Sequence, residues 1–362
     1  LLSNPVLAGS VGFPIGNGGR DRLEYEASLV HSLLEVFVLP LRKRVAKEQF
    51  TVDLLRVADR AVEVATQASH ALVRYQAADR ALELQRVLLH VAKAAAAEAE
   101  ARYHAGNTTR LERDTERAAY EEERRAFAIA ELERIEAREE LNRVLGLWGA
   151  QTEWTLAEPL REALAEDPDL EDLESLALRQ RLDVDAARRQ VFLMHNAVRV
   201  ARTSRFTGPV EVGVHIHQDP HGPRLLGPTL ALELPIFDRR QAMIARLEAQ
   251  RDEAQHRLDA LAIATRATVR ATAAKLRGLR QQLEHQLEVL LPLRERIVEG
   301  TQRQYNAMQI GLAPLLQVRK KQAEEYKRYL ETLRDYWIVR AELERLVGGS
   351  LRPLPSPQEA EP

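Results

Sequence analysis

Three histidines, His215, His217 and His221, with Asp219 between them, are the side chains in this sequence best suited to hold a metal. Alternate strand positions share a face, and imidazole suits copper and zinc alike. His221, however, belongs to Asp219-Pro220-His221-Gly222-Pro223, whose Gly and Pro preset no ligand geometry. The stretch reads as a polar turn at the rim of a strand pair, and no metal is assigned to it. Gly16-Asn17-Gly18-Gly19 has the glycine content of a phosphate loop. No Lys or Ser/Thr follows in register, and a strand pattern comes next, so that reading fails. The spacing builds no Ser-His-Asp set, metalloprotease helix or paired-carboxylate pocket. Cysteine is absent, which removes disulfides, thiolate metal sites and Cys nucleophiles. The expectation is a protein without catalysis and without a cofactor.

Recognition chemistry is better represented. Gly106, Asn107, Thr108, Thr109 and Leu111 form one small-residue turn, and Gly311, Leu312 and Leu315 belong to another. Gly106 can take a left-handed position after a helix, and Thr108 or Thr109 can cap the next one. Turn chemistry alone would choose these residues, but glycine also leaves room for a partner, with leucines beside it for apolar contact.

The elements that carry these turns are unusually long. Leu41 to Ala105 contains neither Pro nor Gly, and as a continuous helix would be roughly 95 Å long at about 1.5 Å per residue. Leu54, Ala58, Ala61, Ala65, Ala68, Leu72 and Tyr75 alternate in steps of four and three, the pattern of a coiled-coil seam. A second helix is predicted from Arg110 to Leu145, ending at Gly146, antiparallel to the first. The plan recurs as helix from Asp238 to about Leu291, a kink at Pro292, a turn at Tyr305–Gly311, and helix from Pro314 to Val347. Leu39-Pro40 and Leu234-Pro235 precede the two long helices, marking a duplicated half rather than a solenoid array. Charge runs such as Glu121-Glu122-Glu123-Arg124-Arg125 read as solvated helix faces.

Ahead of each helical hairpin the period changes to two. Val210, Val212, Val214 and Ile216 share one face of a strand, and Glu211, Gly213, His215 and His217 share the other. Val6–Phe13 with Leu23–Leu39, and Val210–His217 with Leu225–Phe237, read as two β-hairpins. The resulting division is a first β-hairpin over 1–40 and a first helical hairpin over 41–147. A middle segment covers 148–208, with one helix from about Leu170 to Thr203. A second β-hairpin covers 209–237, a second helical hairpin 238–349, and a disordered Pro-rich tail 350–362.

The 362 residues carry 52 Lys+Arg against 54 Asp+Glu, a net charge of −2, which argues against a nucleic-acid partner. Aromatic residues are 5% and charged residues 29%, a composition of long helices rather than a compact α/β enzyme. No stretch approaches about 18 uncharged apolar residues, so no transmembrane helix is expected, although alternating barrel strands escape that test. Four strands cannot close a barrel, for which about eight are needed, so the alternation suggests an oligomer pooling its strands. A soluble coiled-coil scaffold or interaction protein explains the helices equally well but leaves the strand pairs idle.

The tandem order of strand pair and long helical hairpin resembles the TolC family of outer-membrane efflux channels. Arg102-Tyr103-His104-Ala105-Gly106 is similar to the family's first tip turn, and Arg181-Leu182-Asp183-Val184-Asp185-Ala186-Ala187 to its middle helix start. Leu232-Glu233-Leu234-Pro235-Ile236-Phe237-Asp238 matches the strand-to-helix junction. Tyr305 to Gly311 with Leu315-Leu316, then Asp335-Tyr336-Trp337, resembles the branch associated with heavy-metal, particularly copper, export. The resemblance implies a mainly α chain with a small β part, and a homotrimer with a twelve-stranded barrel among outer-membrane lipids of a Gram-negative bacterium. Its long helical hairpins would form a periplasmic tunnel. The tips (Gly106, Asn107, Thr108, Thr109, Leu111, Gly311, Leu312 and Leu315) would dock a periplasmic adaptor linked to an inner-membrane proton-driven pump. A helix the family usually has before Asn4-Pro5 is missing, so the chain reads as truncated at that end. Gln304 to Gln317 carries no acidic residue, and a carboxylate gate is not carried over.

Overall fold

The computed structural model describes residues 4–12, 24–32, 34–163, 172–203, 205, 210–218, 223–232, 236–349 and 351. The Gly16–Gly19 turn, Pro168, Asp219, His221, the Leu234-Pro235 pair and the tail from 352 lie outside them. The chain divides into two compact units, Leu1–Val57 with Leu182–Ala262, and Ala58–Arg181 with Ile263–Pro362.

The first unit contains the sheet. Strands β1 (Val6–Gly12), β2 (Glu24–Ser32), β3 (Val210–Gln218) and β4 (Arg224–Leu232) form one antiparallel sheet in the order β1-β2-β3-β4. The central pairing sets Leu29 opposite Val214 and Ala27 opposite Ile216, so each strand keeps its alternation in phase with its neighbour. β2 is shorter than the predicted Leu23–Leu39 strand, because helix α1 (Leu34–His104) begins two residues after Ser32. The period-two pattern ends there. Leu34, Phe37 and Val38 recur at helical spacing, and a short apolar run does not distinguish strand from helix. Pro40 is accommodated inside α1. Helix α4 (Leu182–Thr203) lies beside the start of α1, where Arg44, Val45 and Glu48 share a small cleft with Phe192, Leu193 and Asn196. Arg189 pairs with Glu48 at 3.5 Å, and Val52, Val184 and Leu193 are buried.

In the second unit α1 turns into α2 (Arg110–Leu145), which ends at Gly146 in the left-handed conformation, as its sequence predicts. The helix predicted from Leu170 to Thr203 is two: α3 (Leu173–Gln180) stops where Arg181 adopts an extended ψ of 128°. Helix α5 (Gln241–His285) is followed by a single wide turn at Gln286–Leu290 and then α6 (Leu291–Asn306). Pro292 has no N–H for the Glu288 carbonyl, and its ring would strike it. Widening the preceding turn, with the Leu291 N–H bonded to the Gln286 carbonyl, absorbs the mismatch that the sequence announces as a kink.

Helix α7 (Leu312–Val347) forms the spine of the main core, where Leu333, Tyr336, Leu343 and Leu346 are buried with Leu173 and Ala177 of α3 and Val269, Leu276 and Leu283 of α5. A smaller cluster joins Ala71 and Tyr75 of α1 to Leu141 of α2. Segment 152–163 is strapped across it. Trp154 packs edge-on against Tyr75 at 4.9 Å and donates to Asn142 Oδ1 at 2.7 Å, while Arg138 donates to the Thr152 and Trp154 carbonyls, both at 2.8 Å. The predicted alanine seam joins this packing only at its Tyr75 end. In the single chain Leu54, Ala58, Ala61, Ala65 and Leu72 remain exposed, and the buried stripe passes instead through Ala71, Tyr75, Leu82, Ala95 and Ala99.

Candidate functional site

Two surfaces carry chemistry, the faces of the sheet in the first unit and the helical turns in the second. The strand registers put Leu7 and Val11, Ala27 and Leu29, Val212, Val214 and Ile216, and Leu226, Leu230 and Leu232 on one face. That face is exposed: Leu7, Leu226 and Leu230 each show more than two thirds of their surface. Unsupported apolar area on this scale marks a face that meets another molecule or lipid. Tyr25, Gln218 and Arg224 form the polar row at one end, where Arg224 Nε donates to Gln218 Oε1 at 2.9 Å.

The opposite face carries most of the polar side chains, interspersed with Val6, Val30 and Leu225. Ser10 lies opposite Glu26, Ser28 opposite His215, and Glu26 opposite His217. His215 Nδ1 is 3.2 Å from Thr229 Oγ1 on β4, and the ring lies over Gly227, where an added Cβ would be 3.2 Å from it. Among the described residues no three His, Cys, Asp or Glu side chains are placed to hold a metal. Gly213 sits on this same face, but a Cβ there would be 2.3 Å from the Leu29 carbonyl oxygen. Its lack of a side chain is what lets β2 and β3 approach.

In the second unit both helical turns close in the same way. After α1, the Gly106 N–H bonds the Tyr103 carbonyl and the Asn107 N–H bonds the Arg102 carbonyl, with Gly106 at φ 76°. After α6, the Met308 N–H bonds the Tyr305 carbonyl and the Gln309 N–H bonds the Gln304 carbonyl, with Met308 at φ 57°. These are two Schellman turns with matching registers. Met308, not Gly311, is therefore the counterpart of Gly106. Gly311 stands at the helix cap with φ −79° and ψ −179°, where Thr109 stands in the first turn. Thr109 Oγ1 accepts from the Glu112 N–H at 3.2 Å, and Thr108 donates to Glu112.

The outer surfaces of the turns differ. Arg113 stacks over Tyr103 at 4.3 Å and pairs with Asp114 at 2.7 Å, so the first turn is charged. From Gln304 to Val318 there is no charged residue, and Met308 is 94% exposed. Leu111 is exposed and Leu312 half-buried, whereas Leu315 is 6% exposed and lines a groove rather than the surface.

That groove, about 1100 Å³, runs between the hairpins, with Val91 of α1, Thr115 and Ala119 of α2, and Pro314 and Leu315 of α7 on its walls. Glu123 seals it. Instead of facing solvent as its charge run predicts, it is 7% exposed, accepts from Gln85 of α1 at 2.6 Å, and pairs with Lys320 of α7 at 2.8 Å. The hydrogen bond from Lys320 to Glu123 holds the ammonium above its ordinary pKa. The helical step from Ala119 through Glu123 to Ala126 and Ala130 is the sequence signal that places Glu123 on the inner side. Met308 had no such signal, since left-handed backbone is ordinarily glycine's.

No family model matches the sequence, and no curated protein does. Solved structures do match. The Campylobacter jejuni CmeC outer membrane channel aligns with a TM-score of 0.79 at 15% identity, over 96% of this chain and 78% of that one. A membrane protein from Pseudomonas aeruginosa gives 0.80 at 18% identity, over 95% and 84%. The open-state Neisseria gonorrhoeae MtrE outer membrane channel gives 0.76 at 15% identity, over 96% and 81%. The fold, mostly helical with one four-stranded antiparallel sheet, is TolC-like, similar to that of these outer-membrane channels.

Proposed function

We propose that this chain is one protomer of a trimeric outer-membrane efflux channel of a Gram-negative bacterium. The observation that carries the reading is the sheet, with one exposed apolar face, one mostly polar face, and outer edges of β1 and β4 that have no strand partner among the described residues. An unpaired edge and an exposed apolar face are both costly in water, and closure into a barrel in lipid removes both. Three copies supply twelve strands, with the polar faces lining the lumen. The exposed Phe50, Leu54 and Val57 stripe on α1 gives the copies a helical contact as well. Among the described residues no helix is long and apolar enough to cross a membrane; in this reading the strands do the spanning. In this reading the long hairpins form a periplasmic tunnel, and the turns at Gly106–Leu111 and Met308–Leu312 dock an adaptor coupled to a proton-driven pump. Heavy-metal ions such as copper, or drugs, pass through without chemistry.

The test is extraction and conductance. The chain should leave the outer-membrane fraction only with detergent, migrate as a heat-modifiable trimer, and form pores in planar bilayers. A detergent-independent, wholly helical monomer or dimer would refute the channel and favour a scaffold.

A further inference from the structure

A further charged surface lies in the helical unit. Arg179 of α3 and Arg266, Arg270 and Arg277 of α5 line one open cleft of about 860 Å³. The three on α5 are spaced by four and seven residues, which puts them on a single helix face. Among the described residues of the lining the carboxylates are Asp172 and Glu174. Glu174 is engaged with Arg270 at 2.9 Å, and Arg179 contacts the Ser175 hydroxyl at 3.4 Å. Arg266 and Arg277 have no ion pair among the described residues. Val269 and Ala273 are buried at the floor, so the guanidinium groups stand over an apolar base.

Like charges four residues apart on a helix repel, and Arg266 and Arg270 are such a pair. Guanidinium forks match the oxygens of phosphate and carboxylate bidentately, and several around one cleft suit a ligand with more than one such group. The volume is that of a small-molecule site. We propose that the α3–α5 cleft binds a small polyvalent oxyanion, a solute bearing two or more phosphate or carboxylate groups, and that Arg266 and Arg277 are its main anchors. This goes beyond the channel reading and does not depend on it.

The purified protein, in whatever assembly state it adopts, is titrated calorimetrically with pyrophosphate and with citrate at fixed ionic strength. Saturable binding is expected, with sodium chloride at matched ionic strength giving none. The double variant Arg266→Gln, Arg277→Gln should weaken affinity roughly tenfold or more, the loss of charge-assisted hydrogen bonds. Both side chains are exposed, so its melting temperature in chloride should not change. Arg277→Lys should keep part of the affinity, because a point charge replaces the fork.

Equal binding by the parent and the double variant would overturn the proposal. So would a response that chloride reproduces. Binding confined to phosphatidylglycerol vesicles, without competition from soluble anions, would assign the cleft to a lipid instead. Loss of the oligomer in the double variant, with no anion binding by the parent, would assign it to a second copy of this chain. Conductance and trimer extraction report on the channel separately, so either reading can fail without the other.

Discussion

A residue with a Cβ loses about 1–2 kcal/mol in left-handed backbone, and Met308 adopts it where the first hairpin has Gly106. Its side chain is almost fully exposed and packs against nothing that offsets this. Met308→Gly should therefore stabilise the α6–α7 turn by about 1 kcal/mol, and Gly106→Ala should weaken the α1–α2 turn by a similar amount. Hydrogen exchange at the Gln309 and Asn107 amides checks both, and unchanged protection would show that the turns tolerate either residue. A strained residue kept at an exposed turn is also a pointer to contact.

His70, on α1, is a second residue-scale test. Burial lowers its pKa, opposed by the Glu342 carboxylate, while Arg74 and Arg345 push in the same direction as burial. Its Nε2 is buried without a partner. Because the folded pKa lies below the unfolded one, the unfolded chain binds the proton more readily. Stability is thus present above the ordinary histidine pKa of about 6.5 and is lost as pH falls below it toward the folded value. Chemical unfolding between neutral and mildly acidic pH should show this slope, and His70→Gln should flatten it.

At the scale of elements, the sheet separates two substitutions one residue apart. Val212→Arg places a charge on the apolar face and should cost roughly 2–4 kcal/mol in the membrane if the strand spans it. Gly213 lies on the polar face, where a charge should by itself alter only conductance. The 2.3 Å approach to the Leu29 carbonyl makes even Gly213→Ala disruptive to the β2–β3 pairing. Folded-trimer yield from membranes measures both. A normal yield for Val212→Arg would count against a spanning strand.

This pair also shows what could be read in advance. The alternation of Val210 to His217 is local and survives folding, as do the turn at Gly106 and the caps at Thr109 and Gly146. Contacts made by remote segments were not legible. The closeness of Leu29 to Gly213, the burial of Glu123 by Gln85 and Lys320, and the gathering of arginines from α3 and α5 all depend on tertiary neighbours. The apolar run after Ser32 was ambiguous for another reason: its length and composition suit strand and helix equally.

For the whole molecule, the prediction is about docking. Thr109 caps α2 through its hydroxyl, so a charge there must retain an acceptor; Asp does, at little cost to the helix. Leu312 opens α7, where an acidic side chain agrees with the helix dipole. Thr109→Asp combined with Leu312→Glu should leave trimer abundance in the outer membrane normal. Metal or drug tolerance and adaptor crosslinking should both fall. Full retention of both would mean that the turns only reverse the chain and that contact lies elsewhere.

The two Schellman turns have a consequence for symmetry. Each chain presents the same backbone shape twice, once with charged flanks and once with none between Gln304 and Val318. In the trimer proposed above, a partner that feels only main-chain shape meets six equivalent stations. A partner that feels side chains meets three of one kind alternating with three of another. A ring of six identical subunits could therefore seat on a ring of three, provided each subunit tolerates both chemistries.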